Sequence, residues 1–258
     1  MKPFDGPIFV INLNGSDARL DSAKMQLAAV DLDFERVEAV DGRGRLATDF
    51  PNYESKSAIE FFGRDLNSGE VGCYLSHVKA AQAFLDSGED YGLVFEDDFR
   101  SFPHTWPILE ELTTFLKSDA CPAWEMVNLG RAPRSVTRPV KELSQHGGTA
   151  HTVFQAFYFP VIATAILWSK EGAARFVKEA AKPIAPVDHM FRHLMSQSGQ
   201  GLALDPAPFS ILNVTSDIAQ ASQNSRPKAK PNWWLKKKSE VLRQSASFKR
   251  AIFHKWIK

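Results

Sequence analysis

The sequence predicts an α/β fold, with a mostly parallel twisted sheet flanked by helices and a basic tail after it. Three observations point there. A short β-rich apolar run is followed by an amphipathic helical pattern and a second such run, and strand–helix–strand then recurs along the chain. The 258 residues are 44% hydrophobic and 24% charged, which suits one large core or two small ones. The charge is divided: residues 226–258 hold eleven Lys or Arg against one acid, Glu240, a net of +10, while the remainder carries −9. We therefore expect a folded domain over 1–225 and a separate basic segment over 226–258.

"PIFVINL" reads as a buried strand, and "NGSDARL" turns the chain into a helix that Ser16 or Asp17 could cap. That helix sets Leu20, Met25, Leu27, Ala28 and Val30 on its apolar side. "DFERVEAVDGRG" alternates apolar and charged residues and turns at Asp41-Gly42, as a second strand would. Residues 43–67 read as irregular. A helix is expected over 68–85, with Val71, Tyr74, Leu75, Val78, Ala81 and Leu85 on one face, Ser68 as its cap and Gly88 as its stop. "YGLVFED" is the third strand, "PILEELTTFL" a helix, "WEMVNLG" a short strand, and 131–150 a polar loop. "VFQAFYFPVIATAILWS" reads as two strands broken at Pro160, then "KEGAARFVKEAAK" as a helix and "PIAPVDHMFRHLMSQSG" as a shorter one after two prolines. Beyond "LDPAPFSIL" the pattern dissolves.

No apolar run reaches the roughly 18 residues of a membrane-spanning helix. The apolar burst near the N-terminus is too short for a secretion signal, so a cytoplasmic chain is expected. Cys73 and Cys121 form no CxxC pair and read as reduced thiols. Nothing in the sequence resembles a nucleic-acid module.

The third strand ends in three adjacent carboxylates, Glu96, Asp97 and Asp98. Ligands of open α/β sheets bind beyond the carboxyl ends of strands. On an extended chain Glu96 and Asp98 would face one side and Asp97 the other, giving a hard-oxygen pair suited to Mn²⁺ or Mg²⁺. Such an ion would also remove the repulsion within the triplet. A solvated acidic turn would read the same way from three residues alone. A bound ion suggests a diphosphate. No GxxxxGK[ST] loop and no GxGxxG after the first strand are present, which leaves a nucleotide-sugar as the better-fitting ligand. Arg19, a short loop after the first strand, could pair with a phosphate, and Asp41 could hydrogen-bond a ribose or base.

"VINLNGSDAR", "FERVEAVDGR", "SGEVGCYLSHVKAAQAF", "LVFEDDF" and "PVDHMF" occur in this order. Together they resemble the family-25 glycosyltransferases, which include bacterial lipopolysaccharide and lipooligosaccharide galactosyltransferases and collagen galactosyltransferases. The resemblance is clear over about residues 8–100 and weaker to about 215. It implies a GT-A-like fold, a UDP-linked sugar donor, Mn²⁺ and an inverting mechanism. It places 96–98 where related enzymes carry a DxD metal motif, here with Glu first; Glu96 and Asp98 are then the expected metal ligands and Asp97 joins the donor-binding set. Glu70, Ser76 and His77 lie on the helix before the metal strand and are added to that set, although Ser76 and His77 point about 100° apart. Inverting transfer needs a carboxylate base, and Asp188 is the candidate; a helix N-cap is its structural alternative.

In the tail, Val241, Phe248, Ile252 and Trp256 recur at steps of seven, four and four, as one face of a basic amphipathic helix would. Such a helix suits an anionic membrane surface. The expected enzyme moves a hexose, galactose by resemblance, from a UDP-sugar to a lipopolysaccharide core or other lipid-linked oligosaccharide, peripherally on the cytoplasmic face of the inner membrane. A sugar-1-phosphate nucleotidyltransferase and a non-catalytic, membrane-bound glycan-binding scaffold remain as alternatives.

Overall fold

A computed structural model describes residues 2–212, 244–245 and 247–252. In chain order the elements are β1 (Ile8–Asn12), α1 (Asp17–Ala28), β2 (Glu35–Glu38), α2 (Ser55–Phe62), α3 (Ser68–Asp86), β3 (Tyr91–Glu96), β4 (Phe99–Arg100), α4 (Thr105–Leu116), β5 (Met126–Asn128), β6 (Thr137–Glu142), β7 (Thr152–Ala156), β8 (Ala165–Ser169), α5 (Lys170–Glu179), α6 (Val187–Ser198), β9 (Gly201–Asp205) and β10 (Ser210–Ile211).

The main sheet has the order β2-β1-β3-β8-β5-β9-β7-β6. β1 pairs in parallel with β2 and β3, and β5 with β9, whereas β8 and β7 run against their neighbours. The sheet is therefore mixed, with all strands but β7 and β8 pointing one way. A separate small ribbon joins β4 to β10.

Both faces are covered, which is why the central strands read as continuous apolar runs rather than alternating ones. Ile8, Val10, Leu93, Phe95, Val127 and Leu167 pack with α1 and α4 on one side. Phe9, Ile11, Val94, Met126, Ile166 and Trp168 pack with α3, α5 and α6 on the other. α3 starts with a reciprocal cap: Asn67 accepts from the Glu70 amide, and Glu70 accepts from the Asn67 amide.

Several expectations need correcting. The cap of α3 is Asn67, not Ser68, because the reciprocal bond lies one residue earlier. Met25 is 70% exposed instead of lying on the packed side of α1. Residues 43–67 contain α2, two turns that bury Ala58 and Phe62. The supposed loop 131–150 holds β6, an edge strand whose register slips between Pro139 and Lys141; its polar composition hid it. β9 also went unread, although it lies between β5 and β7 and is buried along Gly201–Leu204.

Residues 213–243 and 253–258, including Val241 and Trp256 of the expected amphipathic face, lie outside the described residues. Within 247–252 the chain is helical, with Phe248 56% and Ile252 55% exposed, while Ser247 is buried with its hydroxyl 3.2 Å from that of Ser196.

Candidate active site

The acidic triplet is held by the apolar residues on either side of it. Phe95 and Phe99 stack with ring centroids 4.1 Å apart, and Phe209 packs edge-on against Phe95. Both rings stay in the core below, so residues 96–98 must pass over the rim of the sheet. The strand ends at Glu96, and Asp97-Asp98 form a turn before β4. Strand alternation therefore does not govern which way these side chains point. The Leu212 amide donates to the Asp98 carbonyl, continuing the β4–β10 ribbon.

The three carboxylates have different surroundings. Glu96 Oε1 lies 3.2 Å from His77 Nε2 and 3.6 Å from Cys73 Sγ, and its Oε2 accepts from the Thr164 hydroxyl. Burial favours its neutral form, but these hydrogen bonds outweigh burial and hold its pKa below the usual glutamate range. Asp97 accepts from Asn12 Nδ2 at 2.7 Å and from Arg19 at 3.3 Å. Burial nevertheless leaves Asp97 above the usual aspartate range. Asp98 Oδ1 is buried and has no hydrogen-bond partner among the described residues. Burial, then the charges of Glu96 and Asp97, push Asp98 up to about 7.

A cleft of about 720 Å³, including its open mouth, runs along the carboxyl ends of β1, β2 and β3. Ile11, Leu13, Ala39 and Val40 give it apolar walls, and Arg19, Asp41, Ser76, His77 and all three acids of the triplet line it. Two close backbone approaches build one wall. A Cβ on Gly42 would meet the Ser68 carbonyl at 2.3 Å, and one on Gly72 the Val40 carbonyl at 2.5 Å. The glycines of "VDGR" and "SGEVG" thus let the loop after β2 lie directly on α3.

Of the residues singled out from sequence, Asp41 is ion-paired with Arg43 at 2.8 Å, and the Arg43 hydrogen bonds hold its pKa below the ordinary value. The Ser76 hydroxyl donates to the Gly72 carbonyl and accepts from the Val40 amide, so it joins α3 to the loop. His77 is 2% exposed and is occupied by Glu96. Glu70 stands outside the cleft lining, paired with both terminal nitrogens of Arg64 and serving the α3 cap. Asp188 is also outside the lining. It is the second residue of α6 rather than its cap, and its Oδ1 accepts from the His189 amide. Burial and the charge of Glu96 raise its pKa above the ordinary aspartate value, which puts Asp188 within electrostatic reach of the triplet.

Sequence reasoning missed Asn12 and Thr164. Asn12 is 1% exposed, the one polar residue of β1, and it ties Asp97 to the Ser16 carbonyl and to Arg36. A polar residue closing an otherwise apolar strand was the available signal. Thr164 had none, because its contact with Glu96 comes from the antiparallel insertion of β8 beside β3.

The site fits a hard divalent cation on its own chemistry. Asp98 offers a buried carboxylate oxygen with no partner among the described residues, its neighbours are carboxylates, and a positive charge would relieve the electrostatic cost that raises its pKa.

A family profile described as glycosyltransferase family 25 (LPS biosynthesis protein) matches residues 5–191. The chain is 27% identical over 190 residues to procollagen galactosyltransferase 1 of Danio rerio, covering 70% of this chain and 30% of that one. It is 30% identical over 144 residues to procollagen galactosyltransferase 2 of Homo sapiens, covering 52% and 22%. It is 28% identical over 199 residues to a probable inactive glycosyltransferase 25 family member 3 of Bos taurus, covering 74% and 32%. The chain thus spans about a third or less of the length of these curated relatives. Among solved structures, a glycosyltransferase involved in the glycosylation of the major capsid of PBCV-1 aligns with a TM-score of 0.43 at 11% identity, over 84% of this chain and 98% of that one.

Proposed function

The chain belongs to glycosyltransferase family 25, and we propose that it transfers a hexose, galactose, from a UDP-sugar to a lipopolysaccharide core or other lipid-linked oligosaccharide, with inversion and with Mn²⁺ or Mg²⁺. The observation that carries this proposal is the pairing, in one cleft, of apolar walls with the unpartnered oxygen of Asp98 at the carboxyl end of β3. The family description as an LPS biosynthesis protein supports the acceptor, and the procollagen galactosyltransferases support galactose.

In this proposal the apolar residues Ile11, Leu13, Ala39 and Val40 bind the nucleoside, and Asp41 positions its ribose. Asp98, with Glu96, would hold the divalent ion. That ion, when bound, supplies positive charge to the diphosphate leaving group. Asn12 and Arg19 fix Asp97 and so fix the turn that presents Asp98. His77, Cys73 and Thr164 fix Glu96 in the same way. Asp188 takes the proton from the attacking acceptor hydroxyl; its raised pKa makes its carboxylate a stronger base than that of an exposed aspartate. The basic residues of 226–258 would hold the protein on an anionic membrane at the cytoplasmic face, close to lipid-linked acceptor.

The similarity to a probable inactive member favours one second reading, a glycan-binding member without turnover. Incubation with UDP-galactose, Mn²⁺ and a mixture of oligosaccharide acceptors separates the two. Acceptor-dependent UDP release that Asp188→Asn abolishes supports transfer. Binding of UDP without release in any acceptor supports the second reading.

A further inference from the structure

A second cavity lies between the loop after β5, the β7–β8 connection and α6. It encloses about 690 Å³, mouth included, and is lined by Arg131, Arg134 and Arg192 with Ser135, Tyr158 and the backbone around Val161. Among the described residues no carboxylate is in that lining. Three arginines lining one cavity give it a positive potential that favours an anion there.

The arginines are placed by the fold. Asn128, the last residue of β5, accepts from the amides of Gly130 and Arg131 and donates to the Ile162 carbonyl, which aims the loop after β5 at the β7–β8 connection. The Arg192 guanidinium stands over the Tyr158 ring, 4.0 Å from its centroid, and donates to the Tyr158 hydroxyl and the Phe159 carbonyl. Its plane is therefore set in advance.

Two links join this cavity to the acidic site. The connection that supplies Tyr158, Pro160 and Val161 ends at Thr164, which bonds Glu96 through both its carbonyl and its hydroxyl. Arg192 stands one helical turn beyond Asp188 on α6, and its positive charge acts on that carboxylate.

We propose that Arg131, Arg134 and Arg192 form an acceptor subsite that binds an anionic group, a phosphate or carboxylate carried on a sugar, beside the transfer site. The assignment rests on the transferase proposal for its role in catalysis, but the binding itself does not. Guanidinium forks take such groups in bidentate fashion. A cationic acceptor would be rejected by the same cavity, so this subsite selects acidic glycans over neutral or basic ones.

The full chain is titrated, without nucleotide, with a hexose 6-phosphate, a hexuronate and the matching neutral hexose, and binding is read by calorimetry. Stronger binding of one or both anionic sugars than of the neutral one, by about tenfold, is expected, and the tighter of the two identifies phosphate or carboxylate. Arg134→Ala and Arg131→Ala/Arg134→Ala, both in the loop after β5, should remove that preference, while Asp98→Asn should keep it. Equal binding of all three sugars, or a preference that survives Arg131→Ala/Arg134→Ala in a protein of unchanged thermal stability, overturns the proposal. In a separate titration with UDP and Mn²⁺, absence of nucleotide binding with the anion preference intact would count against the transferase proposal alone.

Discussion

Glu96 and Asp98 stand two residues apart, yet both oxygens of Glu96 are hydrogen-bonded to the scaffold while Oδ1 of Asp98 is buried with no partner among the described residues. The first carboxylate is built in and the second is held open. A cluster of like charges persists at this rim because each member is dealt with separately.

The first consequence is a pH-dependent stability. Asp98 titrates near 7 when folded, and an unfolded aspartate near 4. The folded state therefore holds a proton that the unfolded state has lost, and this side chain lowers stability as pH rises from about 4 to about 7. Asp98→Asn removes that cost. In urea titrations of the metal-free protein its advantage over the parent should widen by up to about 1.4 kcal/mol per pH unit across that window and stay flat above it. A constant difference from pH 4 to 8 would contradict the raised pKa of Asp98.

The Asn12–Asp97 bond should matter for folding and for binding together. Asn12→Ala leaves a buried carboxylate short of a donor and Arg36 short of an acceptor. A loss of about 1–3 kcal/mol is expected in chemical denaturation, with weaker UDP binding because the turn that carries Asp98 loosens. Unchanged stability would show that Asn12 does not hold this turn.

Gly42 and Gly72 should not tolerate alanine. Each new methyl would meet a carbonyl oxygen at 2.3 or 2.5 Å, and the helix and loop would have to separate. About 1–3 kcal/mol of destabilisation is expected for either variant, and the apolar wall made by Ala39 and Val40 would shift with it. Wild-type melting temperatures would show that the wall is not close-packed.

Asp188→Asn should lower turnover by about 10²–10⁴ and leave UDP affinity unchanged. The parent rate should rise with pH as Asp188 ionises, since burial holds this carboxyl in its protonated, inactive form to a higher pH than an exposed aspartate. A rate independent of residue 188 would remove it as the base.

For the tail, Lys236→Gln/Lys237→Gln/Lys238→Gln should weaken cosedimentation with phosphatidylserine vesicles by about 100-fold, at about 1 kcal/mol per charge, and should not alter the little binding expected to neutral vesicles. Equal sedimentation of the two proteins would end the membrane assignment.

Much of the fold was legible because its central strands are long apolar runs between amphipathic helices: β1, β3 and β8 announce themselves in "IFVIN", "YGLVFE" and "AILWS". β6 was not, since an edge strand with Pro139 at a bulge carries no apolar pattern. At the site, residues 96–98 stood out by their charge. Their separate surroundings did not, because Asn12, His77 and Thr164 reach them from other elements, and no local spacing records such contacts. The arginine cavity was equally silent: its members come from the loop after β5, the β7–β8 connection and α6.

The decisive measurement is a calorimetric titration of UDP into the full chain with and without Mn²⁺, repeated with Asp98→Asn. The parent should bind UDP at least tenfold more tightly with Mn²⁺ present, and Asp98→Asn should lose that gain while keeping the weak metal-free binding. UDP affinity that is indifferent to Mn²⁺, or a Mn²⁺ gain that survives Asp98→Asn, would contradict a cation held at the end of β3 for a nucleotide-sugar diphosphate.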